Sequence, residues 1–337
     1  MPTKILATIG PSSLNEDVIK KLTLNGVHLF RINLSHTKLS DISNVIDKIK
    51  SFTDVPICLD SEGAQVRNQD MESELVFFSK DSKVKIYHEP VLGNSKKISF
   101  APVNVSKQLK VNDIIRIDFN SLALKVLEDN GSFLIANVES PGMIGSNKAA
   151  DIDREIQLDA LTHKDREAFK IGLKKGLTNF SLSFTHCAED VKEVRKIIGN
   201  DTNLISKIES IRGVLNLKEI LPLVDQILID RGDLSREVSI ERIPYLQRLI
   251  IYYAKSKEVP VYVATNLLES MINVSSPTRA EANDVASTLL MGASGLVLAA
   301  ETAIGKYPVE SVEMINSIVQ QFNKWNPNSS FKDAIFN

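Results

Sequence analysis

QILIDRGDLS, residues 226–235, decides how this chain is read. Ile227, Leu228 and Ile229 follow one another without a polar break, and then Asp230, Arg231, Gly232 and Asp233 crowd the end of the run. A short continuous apolar run that stops at such a cluster reads as a strand buried on both faces. Charge gathered where a buried parallel strand stops marks the end at which α/β folds place their chemistry.

Working outward, seven more runs have the same character: KILATIG (4–10), HLFRINL (28–34), ICLDS (57–61), FSLSF (180–184), LISKIE (204–209), VYVAT (261–265) and GLVLAAE (295–301). Amphipathic helical patterns separate most of them. Residues 39–52 put Ile42, Val45, Ile46 and Ile49 on one face. Thr162 and Asp165 give a capping signal for a helix over 162–175, and residues 188–198 read as the next helix. Helices are also expected from Pro277-Thr278-Arg279 and from Pro308. Eight β/α alternations predict an α/β protein built on a closed (β/α)8 barrel, a TIM barrel. An open doubly wound sheet is the alternative, and the chain lacks the glycine-rich phosphate turn expected after its first strand.

One segment breaks the rhythm. Over 68–158 the runs turn short and alternating (LVFFS, KVKIYH, DIIRIDF, LALKVLE, SFLIANVE), with turn residues such as Gly93-Asn94 and Asn130-Gly131 between them. This predicts a small all-β domain inserted after the third barrel strand, with the barrel formed by 1–67 and 159–337. An insertion there is expected to act as a lid over the active site.

The bulk properties exclude several classes. The chain has 337 residues and a net charge of -2, which does not suggest nucleic acid or a membrane surface as partner. No apolar run approaches the roughly 20 residues of a membrane helix, and the N-terminus lacks a secretion-type apolar core, so a cytoplasmic protein is expected. Cys58 and Cys187 form neither a metal pattern nor a disulfide framework and read as reduced thiols. Trp325 and Phe331 in the polar tail are candidates for docking on the barrel.

Polar residues collect at nearly every strand end. They are Arg31, Asn33, Ser35 and His36; Asp60 and Ser61, with Arg67 following; Ser183 and Phe184; Lys207 and Glu209; Arg231, Gly232 and Asp233; Thr265 and Asn266; and Glu301. Alternation puts Arg31, Asn33 and Ser35 on one face, and Lys207 and Glu209 on another shared face. Glu209 and Asp233 on adjacent strands suit a hard divalent cation bound through oxygen. Lys207 beside them suits a transferring phosphoryl group or a proton. Arg31 and Arg67 suit bidentate phosphate contacts, Thr265 offers a hydroxyl, and the Gly232-Asp233 backbone suits an anion. Any one of these reads equally as a rim salt bridge or a loop cap, and the joint pattern also fits aldol cleavage and metal-assisted hydrolysis.

The segments KILATIGPSS, RINLSH, LDSEGAQVR, ISKIES, DRGDLS, VYVATNLLESM, SPTRAEANDVA and ETAIGKYPVESV, in this order, resemble the signature segments of the pyruvate kinase family. The resemblance extends through DIIRIDF and GMIGSNKAADI of the inserted segment and covers nearly the whole chain. It implies a (β/α)8 barrel with an inserted β domain, and phosphoryl transfer from phosphoenolpyruvate to ADP with Mg2+ or Mn2+ and usually K+. It implies that Lys207 stabilises the transferring phosphoryl group and that Glu209 and Asp233 ligate the divalent ion. Asn33, Ser35, Asp60 and Ser61 would form the monovalent site, with Ser61 where a threonine is usual. Arg31, Asn33, His36, Arg67 and Lys148 fall on the nucleotide or phosphate side. Thr265 would lie near the enolate, and Gly232 and Asp233 in the loop that meets the substrate carboxylate. Asp230, Ser183 and Phe184 complete the candidate substrate residues.

The departures from the family pattern set further expectations. The family's C-terminal effector domain does not follow the barrel within this chain, so regulation through it is not expected, and a homodimer through the barrel stays open. Glu62, Ala64 and Gln65 replace the usual residues of their segment, Ala299-Ala300 replaces a Ser-Gly, and Asp118 to Asn120 and Ala149 to Asp151 also depart. Asp230 stands where alanine is usual. It would repel a substrate carboxylate, or turn away to pair with Arg231, Arg236 or Arg279, or bind a substrate amine or hydroxyl. The alternatives to a pyruvate kinase are a related enzyme acting on another small phosphorylated or enolisable acid, and a non-catalytic metabolite-binding homologue.

Overall fold

Eight strands, each apolar on both faces, hydrogen-bond edge to edge until the sheet closes: β1 (Lys4–Thr8), β2 (Leu29–Asn33), β3 (Ile57–Asp60), β4 (Asn179–Leu182), β5 (Asn203–Ile208), β6 (Gln226–Asp230), β7 (Val261–Ala264) and β8 (Gly295–Leu298). All neighbours run parallel, and β1 pairs with both β2 and β8, which completes the barrel. The structure, a computed structural model, describes residues 2–328 and 330–336.

The outward-facing residues of the strands join one large core with the surrounding helices: α1 (Glu16–Leu24), α2 (Ile42–Lys50), α3 (His163–Lys174), α4 (Ala188–Ile198), α5 (Ile211–Leu215), α6 (Ile243–Ser256), α7 (Arg279–Met291) and α8 (Pro308–Lys324). Their starts follow capping chemistry. Asn15 accepts from Val18 N ahead of α1, and Thr162 with Asp165 and Thr278 with Glu281 form capping boxes ahead of α3 and α7. The helix expected over 39–52 is shorter, because residues Leu39–Asp41 form a separate 3-10 turn before α2.

The inward-facing residues form a second, smaller core of Leu6, Leu29, Cys58, Ile205, Leu228, Tyr262, Ala264 and Val297. Successive side chains on a strand alternate faces. The next inward positions after Leu29, Cys58, Ile205 and Leu228 are therefore Arg31, Asp60, Lys207 and Asp230, all buried. The barrel interior changes from apolar to charged within one residue pair, and that boundary is where the site begins. Cys58 is buried in the apolar layer, and Cys187 also carries a free thiol.

The chain divides into two compact units, Met1–Gly63 with Ala160–Asn337, and Ala64–Asp159. The second unit has its own apolar core and is a closed barrel. Its strand order is Phe133–Ser140, Lys83–Tyr87, Lys97–Ala101, Val66–Asn68, Ala149–Ile152, Ile114–Ile117, Leu122–Asp129. A separate pair, Val76–Phe78 with Gly142–Ile144, accompanies it. The strands Val66–Asn68, Lys97–Ala101, Gly142–Ile144 and Ala149–Ile152 go beyond the five alternating runs legible in the sequence. The expected docking of the tail is not found: Trp325 is 60% exposed and Phe331 90% exposed.

Candidate active site

The strand ends β2 to β7 carry one connected set of charges. Lys207, on β5, is buried and donates to Ser183 Oγ at 3.1 Å and to Asp60 Oδ2 at 3.4 Å. Its Nζ also stands 2.7 Å from Glu209 Oε1 and 4.0 Å from Asp230 Oδ2. Burial works against the ammonium, but the charges of Asp60, Glu209 and Asp230 outweigh it and hold the lysine above its ordinary pKa. Lys207 is therefore a fixed positive charge, not a proton donor near neutral pH.

Arg31 occupies the matching position on β2. Its guanidinium lies 3.6 Å from Asp60 Oδ2, and among the described residues no hydrogen-bond acceptor meets its buried Nε and Nη1. Leaving buried donors unsatisfied costs about 1–3 kcal/mol each, so they mark where a ligand's oxygens belong.

Glu209 and Asp233 supply the carboxylates. Glu209 Oε2 accepts from Phe184 N at 2.7 Å, where Phe184 takes a left-handed backbone at φ 50°. Asp233 Oδ1 lies 3.3 Å from Arg236 Nη1. Burial pushes the Glu209 carboxyl up against the pull of Lys207, and Asp233 and Asp230 add to the rise. Burial, then Asp230, raises Asp233 in the same way. Glu209, Asp230 and Asp233 can each offer an oxygen within 4.8 Å of the others. At an effective dielectric near 20, each charged pair at that spacing repels by about 3 kcal/mol. An all-oxygen, mutually repelling donor set fits a hard divalent cation, which would relieve the repulsion.

Asp230 faces inward. Of the alternatives, pairing with Arg231, Arg236 or Arg279 is not found among the described contacts: Arg231 binds both oxygens of Asp284 at 2.9 and 2.7 Å, and Arg236 meets Asp233. Asp230 Oδ1 instead accepts from the Thr265 hydroxyl at 2.5 Å and from Gly232 N at 3.2 Å. Thr265 takes φ 75°, a backbone state that costs a β-branched residue about 1–3 kcal/mol. Arg231 holds it there by donating to the Ala264 and Thr265 carbonyls. Gly232 makes the approach possible, since a Cβ there would stand 2.8 Å from Thr265 Cγ2.

Around Asp60, Ser61 Oγ accepts from Ser183 N at 2.9 Å. Asn33 lies opposite Asp60 in the β2–β3 register. Ser35 does not share the strand face expected from alternation, because β2 ends at Asn33 and a 3-10 turn, Leu34–His36, begins there. Ser35 N donates to Asn33 Oδ1 at 2.9 Å, and His36 is exposed. Arg67 and Lys148 lie in the inserted unit, where Arg67 Nη1 donates to Asn147 O and Lys148 pairs with Asp118 at 3.4 Å.

Three contributors were not assigned to the site from the sequence, although Arg236 was named there as a possible partner of Asp230. Asp284 anchors Arg231. Arg236 neutralises Asp233 and stands over the Phe184 ring, 6.0 Å from its centre. Asp165, read only as a helix cap, also accepts from the amides of Glu62 at 2.8 Å and Gly63 at 3.2 Å, and so ties the exit of β3 to α3.

A closed parallel barrel with a buried lysine and arginine beside a cation-fit carboxylate cluster at its strand ends defines a (β/α)8 enzyme suited to anionic substrates. Residues 1–312 match the family model described as pyruvate kinase, barrel domain. A pyruvate kinase of Thermotoga maritima is 33% identical over 332 residues, covering 96% of this chain and 71% of the relative. One of Clostridium acetobutylicum is 32% identical, covering 95% and 70%. The crystal structure of a pyruvate kinase from Cryptosporidium parvum superposes with a TM-score of 0.85 at 30% identity, covering 97% of this chain and 70% of that one. The chain belongs to the pyruvate kinase family and is a pyruvate kinase-like phosphotransferase.

Proposed function

We propose that the protein moves a phosphoryl group between phosphoenolpyruvate and ADP, with Mg2+ or Mn2+ and with K+. The observation that carries this reading is Lys207: a buried ammonium kept charged by Asp60, Glu209 and Asp230, beside Arg31 donors that await oxygens. A divalent cation held by Glu209 and Asp233 would offset charge on the phosphoryl oxygens. Lys207 offsets the same charge from its strand, and Arg31 orients the phosphoryl oxygens through Nε and Nη1. The bond from phosphorus to the enol oxygen breaks as the bond to the ADP oxygen forms. The enolate left behind takes a proton from solvent water at carbon, relayed past the Thr265 hydroxyl. Ser183 Oγ and the Phe184 amide hold Lys207 and Glu209 in place on the substrate side.

Asn33, Ser35, Asp60 and Ser61 offer only oxygen ligands, the donor chemistry K+ needs, and are proposed as its site. His36, Arg67 and Lys148, with Arg31 and Asn33, are proposed for the nucleotide. Among the described residues no helix is long and apolar enough to cross a membrane, and the proposed substrates are cytoplasmic metabolites. A homodimer through the barrel is supported by Tyr245, Leu249 and Tyr252, exposed along one face of α6.

Asp230 favours a second reading, in which the same machinery acts on another small phosphorylated acid whose group at this corner is a hydroxyl or amine. A lactate dehydrogenase-coupled assay with phosphoenolpyruvate, ADP, Mg2+ and K+ separates the two. Pyruvate formation that needs the divalent ion supports the first, and its absence from folded, metal-binding protein supports the second.

A further inference from the structure

The Gly232 amide and the Thr265 hydroxyl are donors at the ends of β6 and β7, beside the carboxylate cluster, and both are already taken by Asp230 Oδ1. The other oxygen, Oδ2, lies 4.0 Å from Lys207 Nζ, and Asp230 joins Glu209 and Asp233 in the set of oxygens within 4.8 Å of one another. In the same cluster Glu209 Oε1, on a side chain that is almost fully buried, is ion-paired with Lys207 at 2.7 Å and meets no further donor among the described residues. That oxygen and Asp230 Oδ2 both face Lys207, and both belong to residues of the one carboxylate cluster. Lys207 and Arg236 pair with Glu209 and Asp233 of this cluster.

We propose that Asp230 sets the specificity of this site by acting as a third carboxylate ligand to the divalent cation and by competing with a substrate carboxylate for the Gly232 amide and the Thr265 hydroxyl. The ligand role rests on the donor set alone, and the competition rests on the phosphoenolpyruvate reading above. Compared with the same site lacking this side chain, the protein binds a divalent cation more tightly and an enol-phosphate acid more weakly. A substrate bearing a carboxylate enters by displacing Oδ1 from its two donors. A substrate bearing a neutral donor enters without displacing it.

The test uses the wild-type protein, Asp230→Asn and Asp230→Ala, each checked for an unchanged far-ultraviolet spectrum and melting curve. Mn2+ is titrated without substrate, following free Mn2+ by its paramagnetic resonance signal. Phosphoenolpyruvate is titrated calorimetrically into protein saturated with Mg2+. Both variants are expected to bind Mn2+ at least about fivefold more weakly. Asp230→Ala is expected to bind phosphoenolpyruvate at least about fivefold more tightly than wild type, with a smaller gain for Asp230→Asn, whose amide oxygen still accepts from Thr265. Mn2+ affinity within about twofold of wild type in both variants overturns the ligand role. Wild-type binding of phosphoenolpyruvate that Asp230→Ala does not improve overturns the competition while leaving the substrate reading standing. Phosphoenolpyruvate bound by none of the three proteins overturns the competition and the substrate reading together, and the Mn2+ titration still decides the ligand role.

Discussion

Arg231 holds Thr265 in a backbone state the threonine would not choose: its Nε donates to the Thr265 carbonyl at 3.1 Å while Asp284 takes two hydrogen bonds from Nη1. The arginine touches no candidate cation ligand in these contacts, so it acts by positioning the Thr265 hydroxyl. Arg231→Lys keeps the charge but loses the planar fork. It is expected to lower kcat about 10–100-fold, with divalent-cation affinity within about twofold of wild type. Steady-state kinetics beside a Mn2+ titration checks this, and equal losses in both would mean that the site had collapsed instead.

Gly63 is expected to resist substitution at the exit of β3. Its φ is +76°, and a Cβ would stand 2.4 Å from the Ser183 carbonyl oxygen. Gly63→Ala therefore adds left-handed strain to a backbone clash, for a loss of about 2–4 kcal/mol. Because Ser183 accepts from Lys207, activity should fall along with the denaturation midpoint. An unchanged midpoint would show that the segment relaxes freely.

The raised carboxylates give the metal-free protein a definite pH dependence. Glu209 and Asp233 have folded pKa values above their unfolded ones, so the native state binds more protons in the window between those values. Stability from these groups then declines as pH rises from the ordinary carboxylate range toward their folded pKa values. Urea denaturation of chelator-treated protein at pH 5 and at pH 8 should show the decline, and Glu209→Gln should flatten it. Saturating Mg2+ should oppose it, since the cation replaces the protons. A wild-type slope matched by Glu209→Gln would place the effect elsewhere.

The exposed stripe on α6 makes an assembly prediction. Tyr252→Glu combined with Leu249→Glu should convert a dimer to a monomer in sedimentation velocity while the far-ultraviolet spectrum stays unchanged, with the melting temperature falling only by the lost subunit association. A wild-type protein that is monomeric at micromolar concentration would contradict the proposed homodimer.

The barrel was legible because its strands are continuous apolar runs, and a run such as 226–230 has few other places to go. Helix starts were legible where side chains cap locally, as at Thr162 and Thr278. The inserted unit was legible as β structure, but Val66–Asn68 and Ala149–Ile152 are too short to show a two-residue period. Ser35 was misplaced because alternation holds only while the strand lasts, and β2 ends at Asn33. The partners of Arg231 and Asp165 were hidden by distance: Asp284 lies 53 residues from Arg231, and Glu62 lies 103 from Asp165. Asp230 faces inward because it lies two residues after Leu228 on β6, and what distance hid is its pairing: Asp284 claims Arg231, and Asp230 meets Thr265.

The central claim is that Lys207, charged and buried among carboxylates, stabilises a phosphoryl group in transfer. The direct measurement compares pyruvate formation from phosphoenolpyruvate and ADP, with Mg2+ and K+, for wild type and Lys207→Met. The expected wild-type kcat is on the order of 10 s-1, an ordinary enzyme rate, and the folded variant should be slower by about 10³-fold or more. A variant that keeps the wild-type rate, or a folded wild-type protein that forms no pyruvate, would contradict the claim.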